Sequence, residues 1–359
     1  MRTLIDTLPP TTRPTVAPLA SAPATHAPTT DIDAATRAQL DRIGLPLQPR
    51  RGPAPALTVD LPLDDAPAAQ GAGHTTARFV QKRGMAALRL AFRLAGAIST
   101  EAQAWLGHRV LSTPPRFARP VREQRLLSQA TPFSVPFGPR ALRAWRWGSG
   151  PTVLLLHCWG GRGSQMAEFV EPLLAQGLSP VVFDAPAHGD SPGRRTDMIE
   201  MAMAIGTVAN AVGPLHGVIA HSLGASAGLL ALRDYGLATP RFVSIGAFSD
   251  CRWFTEAFGA LVGMQPAAVA GMREILSRRY SHRVDWSRLG ITEALRASRD
   301  HTRTLLIHDA HDREVPHAHA QMLSRAQPGV PLLTTRGLGH RRILRNAEVI
   351  VRAVRFVLG

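Results

Sequence analysis

From residue 131 onward, short unbroken apolar runs alternate with longer stretches in which apolar positions recur every three or four residues. The runs are "TVLLLH" (152–157), "SPVVFD" (179–184), "GVIAH" (217–221), "RFVSIGA" (241–247), "RTLLIHD" (303–309) and "GVPLLTT" (329–335). A short continuous run predicts a strand buried on both faces, as in a parallel sheet. Ahead of them, "FSVPF" (133–137) and "RALRAWRW" (140–147) read as an early pair of strands, with turn residues from Gly148 to Pro151 before the next. Helical spacing fills the gaps, as in "SQMAEFVEPLLAQG" (164–177) and "DMIEMAMAIGTVANAVG" (197–213). Strand and helix alternating in this way predict right-handed crossovers and an α/β fold: a mostly parallel, twisted sheet of about eight strands flanked by helices.

Upstream the pattern changes. Phe79, Val80, Leu88, Phe92, Ala95 and Ile98 recur at helical steps, with arginines on the other side. Residues 75–130 are therefore expected to form an amphipathic helical segment whose apolar face packs on the α/β domain. The alternative is a basic helix making peripheral contact with a membrane surface or a partner through residues 75–112. Residues 1–74 are rich in proline, alanine and threonine and are expected to be a disordered arm, with a short helix at 31–43 as its one candidate element.

Composition adjusts this picture modestly. The net charge of +15 would usually suggest nucleic acid, but Lys82 is the only lysine, and so complete an arginine skew reads as codon bias. No nucleic-acid partner is expected. Cys158 and Cys251 stand far apart and offer neither a disulfide framework nor a metal pair, so a reducing, cytoplasmic setting is expected. No secretory leader and no membrane span is predicted.

In an open α/β sheet, ligands bind at the carboxyl ends of the strands. There the sequence reads "HCWGGRG" (157–163), "DAPAHGDSPG" (184–193), "HSLGA" (221–225), "HDAHDREVP" (308–316) and "GLGHRRIL" (337–344). Ser222 admits three readings: a helix cap, a nucleophile on a strained elbow, or part of a phosphate loop. Neither GxGxxG nor GKS/T occurs at 217–228, which sets the last aside. His301, His308, His311, His317 and His319 cluster late in the chain, but their spacing does not match HExxH and no metal is expected.

At these residues the chain resembles the α/β-hydrolase fold family, over roughly 131–359. "AHSLG" (220–224) is similar to the nucleophile elbow G-x-S-x-G, with Ala220 where the family has glycine. The resemblance implies a triad of Ser222 as nucleophile, His340 as base and Asp312 as orienting acid, with Asp309 and Glu314 as alternatives for the acid. It implies an oxyanion hole built from the Trp159 and Leu223 amides. It also implies a helical cap inserted at 250–300, where aromatic residues and methionines gather. Cys158, His221, Trp253, Phe254 and Phe258 are expected to line the substrate pocket. His188 is expected to shape its loop. The implied activity, without cofactor, is that of a serine hydrolase cleaving a carboxylic ester of a small or medium apolar acyl substrate through an acyl-enzyme. Thioester cleavage or acyl transfer on the same triad, and a non-catalytic binding module, are the alternatives.

Overall fold

The computed structural model describes residues 73–280, 284, 286 and 289–359, with side chains from residue 84 onward. The expected disordered arm, apart from residues 73 and 74, which begin a helix, and its candidate helix at 31–43 fall outside these residues. Eight strands form one sheet: β1 (Thr131–Phe137), β2 (Arg140–Arg146), β3 (Thr152–Leu156), β4 (Ser179–Phe183), β5 (Leu215–His221), β6 (Arg241–Ile245), β7 (Arg303–Asp309) and β8 (Leu332–Thr335). Their order is β1-β2-β4-β3-β5-β6-β7-β8. β2 lies antiparallel to both β1 and β4, and the other neighbours run parallel.

The unbroken apolar runs serve two cores. Along β3, Leu154 and Leu156 enter one core while Val153 and Leu155 enter the other. A strand alternates its side chains between faces, so a sheet covered on both sides needs apolar residues at consecutive positions.

Ten longer helices among the described residues are α1 (Gly73–Ile98), α2 (Thr100–Leu111), α3 (Val121–Ser128), α4 (Met198–Val212), α5 (Leu223–Asp234), α6 (Cys251–Val262), α7 (Pro266–Arg279), α8 (Ile291–Ser298), α9 (Ala318–Ala326) and α10 (Ala347–Leu358). Residues of α4, α5, α8 and α9 fill one core; α10 and the helical turns at 163–174 contribute to the other.

The stretch 250–300 was expected to be a cap throughout, and the structure divides it. α6 and α7 stand together, but α8 buries Ile291, Ala294 and Leu295 completely in the sheet-covering core. The two N-terminal helices join the inserted pair instead. α2 packs on α7 at small residues: a methyl group added at Gly271 would lie 3.0 Å from the Ala104 Cβ, and one added at Gly107 would lie 2.6 Å from the Met264 Cε. The buried Gln103 ties the group together, donating to the Phe92 carbonyl at 2.9 Å and accepting from the Gln265 amide at 2.9 Å.

Of the apolar face read in α1, Phe92 is fully buried and packs edge-on against Phe258. Ile98, expected on that face, is exposed, because α1 ends there and Ser99 begins the next helix by capping the Ala102 amide. Among the described residues no helix is long and apolar enough to cross a membrane.

Candidate active site

β5 ends at His221, and Ser222 turns the chain into α5 with φ 56° and ψ −126°. An L-residue avoids this region, so the conformation stores strain that the surrounding packing must hold. That packing explains the small residues around the serine. A methyl group at Gly224 would sit 2.2 Å from the His157 carbonyl oxygen, and one at Gly228 would sit 2.8 Å from the Phe242 ring. Ala220 is fully buried within β5 and pairs with β3 and β6. An alanine thus fits where the sequence pattern has glycine. The Ser222 hydroxyl makes no capping hydrogen bond to α5, which removes the helix-cap reading.

Instead Ser222 Oγ lies 2.8 Å from His340 Nε2, and His340 Nδ1 lies 2.6 Å from Asp312 Oδ2. All three side chains are nearly buried. They come from the ends of β5, β7 and β8, which the sheet order sets at its carboxyl edge. The other oxygen of Asp312 accepts the Glu314 and Val315 amides at 2.8 and 2.9 Å. Burial works against the Asp312 charge, yet hydrogen bonds from His308, His340 and the backbone hold this carboxyl well below the usual carboxylate range. An ionised Asp312 requires its partner nitrogen to carry the proton. His340 Nε2 then faces the serine as an acceptor.

The alternative acids are committed elsewhere. Asp309 accepts from Thr335 Oγ1 at 2.8 Å and from the Leu338 and His311 amides at 2.9 Å, which fastens the loop that carries His340. Glu314 pairs with Arg341 near the surface.

The turn after β3 is a tight one closed by the Gly161 amide on the Cys158 carbonyl at 3.0 Å, with Gly160 at φ 66°. Glycine suits that third position because it needs positive φ. Such a turn leaves its second residue's N–H free, and among the described residues neither the Trp159 nor the Leu223 amide has a hydrogen-bond partner. His188 props the turn: its Nε2 accepts from the Gly160 amide at 3.0 Å while Nδ1 donates to the Pro186 carbonyl at 2.9 Å. His157 works in the same way, accepting from the Ala185 amide at 3.0 Å and donating to the Cys158 carbonyl at 2.8 Å. Burial pushes these imidazoles down to about 3 and about 4 respectively, so both are neutral.

The residues expected to line a pocket are dispersed. His221 lies beneath the triad, donating Nε2–H to the His340 carbonyl at 2.8 Å. The Cys158 thiol is pushed up to about 11 by burial, which leaves no nucleophilic thiolate at neutral pH. Trp253 packs on His319 and Phe248, and Phe258 on Phe92. Only Phe254 of the five lines the apolar cavity of about 40 Å³ that lies beside α2 and α7. Its other walls include Met272 of α7, one of the methionines gathered at 250–300, and four residues that were not foreseen: His108 and Leu111 of α2, Met198 of α4 and Leu276 of α7. The Trp159 indole forms part of the same wall. No local pattern marks these positions, because the walls meet only when α2 packs on α7. The late histidines have different partners: His308 the Val315 carbonyl and Asp312, His317 Thr334, and His319 Ser249.

A profile described as the alpha/beta hydrolase family matches residues 153–353. No curated protein sequence matches the chain. Among solved structures, an esterase of Pyrococcus furiosus is 18% identical with a TM-score of 0.53, the alignment covering 69% of this chain and 97% of that one. A putative lipase from Acinetobacter baumannii AYE is 17% identical with a TM-score of 0.50, covering 66% of this chain and 93% of that one. At such identities the likeness is one of fold.

Proposed function

The chain belongs to the alpha/beta hydrolase family, and from that premise we propose that it is a serine hydrolase acting on carboxylic esters. The observation that carries this reading is the continuous relay from Asp312 through His340 to Ser222, with contacts of 2.6 and 2.8 Å. A serine hydroxyl needs a base to take its proton as it attacks. In this reading His340 Nε2 accepts that proton, Asp312 stabilises the imidazolium, and the same proton passes to the departing alcohol.

The acyl-enzyme that results is cleaved by water with His340 again as base. Charge developing on the carbonyl oxygen is received by the Trp159 and Leu223 amides, each such donor being worth about 2.7–4 kcal/mol in the transition state. The apolar walls of Trp159, Phe254 and Met272 favour an apolar acyl group over a polar one.

A fluorophosphonate probe tests the nucleophile. It is expected to label the wild-type protein at one serine and to leave Ser222→Ala unlabelled, with p-nitrophenyl butyrate hydrolysis lost in parallel. Labelling that persists in Ser222→Ala overturns the assignment.

A further inference from the structure

α1 carries apolar residues on two opposite faces. Phe92 is fully buried against Phe258, with Leu88 and Ala95 half-buried one turn away on either side, and this face holds the helix to the protein. On the other face Ala87, Leu90, Ala91, Leu94, Ala97 and Ile98 recur at steps of three and four, and all six are exposed. Leu90, Leu94 and Ile98 expose 55, 59 and 79% of their surface. The row from Ala87 to Ile98 runs for about 16 Å at 1.5 Å per residue.

Single exposed apolar side chains are ordinary on a protein surface, and Met203, Met322 and Leu358 are of that kind, each alone on its helix. A continuous row is different, because it keeps several leucine-sized groups in water unless something covers them.

We propose that the outer face of α1 lies flat on an anionic lipid surface, with the leucine row in the boundary between headgroups and acyl chains. Charge selects this occupant. α1 carries Arg78, Lys82, Arg83, Arg89 and Arg93, and no acidic residue stands between Asp65 and Glu101. An arginine-rich composition accounts for the arginines but not for the missing carboxylates. Arg89 and Arg93, one turn apart and both exposed, border the row along one side. Arg89 also donates to the Leu261 carbonyl at 2.9 Å, which anchors that edge of α1 on α6.

An apolar row bordered by cations is the arrangement of a helix that rests in a membrane interface. A nucleic acid would pair with the arginines and leave the leucines in water. Among the described residues no helix is long and apolar enough to cross a membrane, so the contact proposed is with one leaflet. Binding of this kind needs neither Ser222 nor a substrate, and the proposal stands apart from the ester-hydrolase reading.

Full-length Ser222→Ala is pelleted with vesicles of mixed phosphatidylcholine and phosphatidylserine, and separately with phosphatidylcholine alone, at low salt. Partitioning onto the anionic vesicles is expected to be about tenfold or more the stronger. It is expected to fall about thirtyfold in Arg89→Gln/Arg93→Gln, two charges at about fivefold each. Leu90→Gln/Leu94→Gln/Ile98→Gln is expected to lose about tenfold or more, and Leu358→Gln to lose nothing.

Thermal melts confirm folding, and the single changes Arg93→Gln and Leu94→Gln carry the test if a multiple variant does not fold. No pelleting, equal pelleting on both kinds of vesicle, or pelleting that survives loss of the leucine row overturns the proposal. It is also overturned if sedimentation shows a dimer that the leucine variant dissolves, since a second copy then covers the row. Slow hydrogen exchange over 87–98 in the lipid-free monomer, relieved in the same variant, overturns it in favour of cover by the chain itself. Vesicle binding by a protein whose intact Ser222 form hydrolyses no ester leaves this proposal standing and removes the hydrolase reading.

Discussion

Replacing Asp312 by asparagine removes one charge and almost no volume, and the structure dictates where the new amide group must point. Asp312 Oδ1 accepts two backbone amides, from Glu314 at 2.8 Å and Val315 at 2.9 Å, whereas Oδ2 accepts His340 Nδ1 at 2.6 Å. Asparagine has one acceptor oxygen, and two N–H groups claim it at the Oδ1 position. Its NH₂ group therefore takes the Oδ2 position and donates toward His340 Nδ1.

A donor facing a donor is untenable, so the imidazole moves its proton to Nε2. That proton then points at Ser222 Oγ, 2.8 Å away, and the ring can no longer accept the serine proton. The same error of tautomer in a serine triad costs about 10⁴-fold in kcat, or about 5.4 kcal/mol at 1.36 kcal/mol per decade. KM is expected to change little, since Asp312 is buried behind the histidine and touches no cavity wall.

The assay is steady-state hydrolysis of p-nitrophenyl butyrate, with active sites counted by fluorophosphonate titration and folding checked by thermal melting. Asp309→Asn is the control: it loosens the loop around Leu338 but does not touch His340. The reasoning is refuted if Asp312→Asn retains more than about 1% of wild-type kcat, a hundredfold short of the tautomer penalty, or if Asp309→Asn is the more damaging change.

Four further outcomes follow from the packing, a buried ion pair and the buried histidines. Gly224→Ala forces a methyl group to 2.2 Å from the His157 carbonyl and is expected to cost about 3 kcal/mol in urea unfolding. By contrast Ala220→Gly, which restores the glycine of the elbow pattern, is expected to lose about 1 kcal/mol and gain no activity. Arg162 and Glu123 form a buried pair at 2.6 and 3.1 Å that joins α3 to the loop after the Trp159 turn. Glu123→Gln leaves the guanidinium uncompensated and should cost about 3–5 kcal/mol, while Glu123→Leu/Arg162→Met together should cost much less; a double variant as unstable as the single one would contradict this.

Acid stability depends on His157, His188 and His221, which burial pushes down to about 4, 3 and 3. The unfolded chain binds these protons more readily, so stability is full above pH 6.5 and falls as pH drops from 6.5 toward 4, by roughly 1.4 kcal/mol per histidine per pH unit. A melting temperature that stays flat over that interval would rule the mechanism out. In the folded protein His188 takes up its proton only near 3, where two donors then meet at the Gly160 amide, so the activity of the folded protein should fall there.

Legibility of this molecule divides along a physical line. The strands were readable because a doubly covered sheet demands apolar residues at consecutive positions, as Val153 to Leu156 show by feeding both cores. That Ser222, His340 and Asp312 meet was legible for a related reason: each stands just beyond a strand end, and the sheet order gathers those ends at one edge. Choosing Asp312 over Asp309 took more than position, since Asp309 ends β7 and Asp312 lies three residues beyond it; what separates them in space is that Asp309 is fastened to Thr335 and Leu338.

The cavity obeys no comparable rule. Enrichment in aromatic residues between 250 and 300 says that something packs there, but not which ring faces inward, and Trp253 and Phe258 turn to His319 and Phe92. Its walls are set by contact between α2 and α7, segments far apart in sequence that meet through Gly107, Ala104 and Gly271. Small residues permit close approach without announcing a partner. A methyl group at 107 would lie 2.6 Å from the Met264 Cε, so any larger residue there displaces the flexible end of that side chain. The shape of this cavity therefore depends on the fit between two helices as much as on the identity of the residues that line the space, whereas the contacts at Ser222 depend on strand ends that the sheet holds fixed.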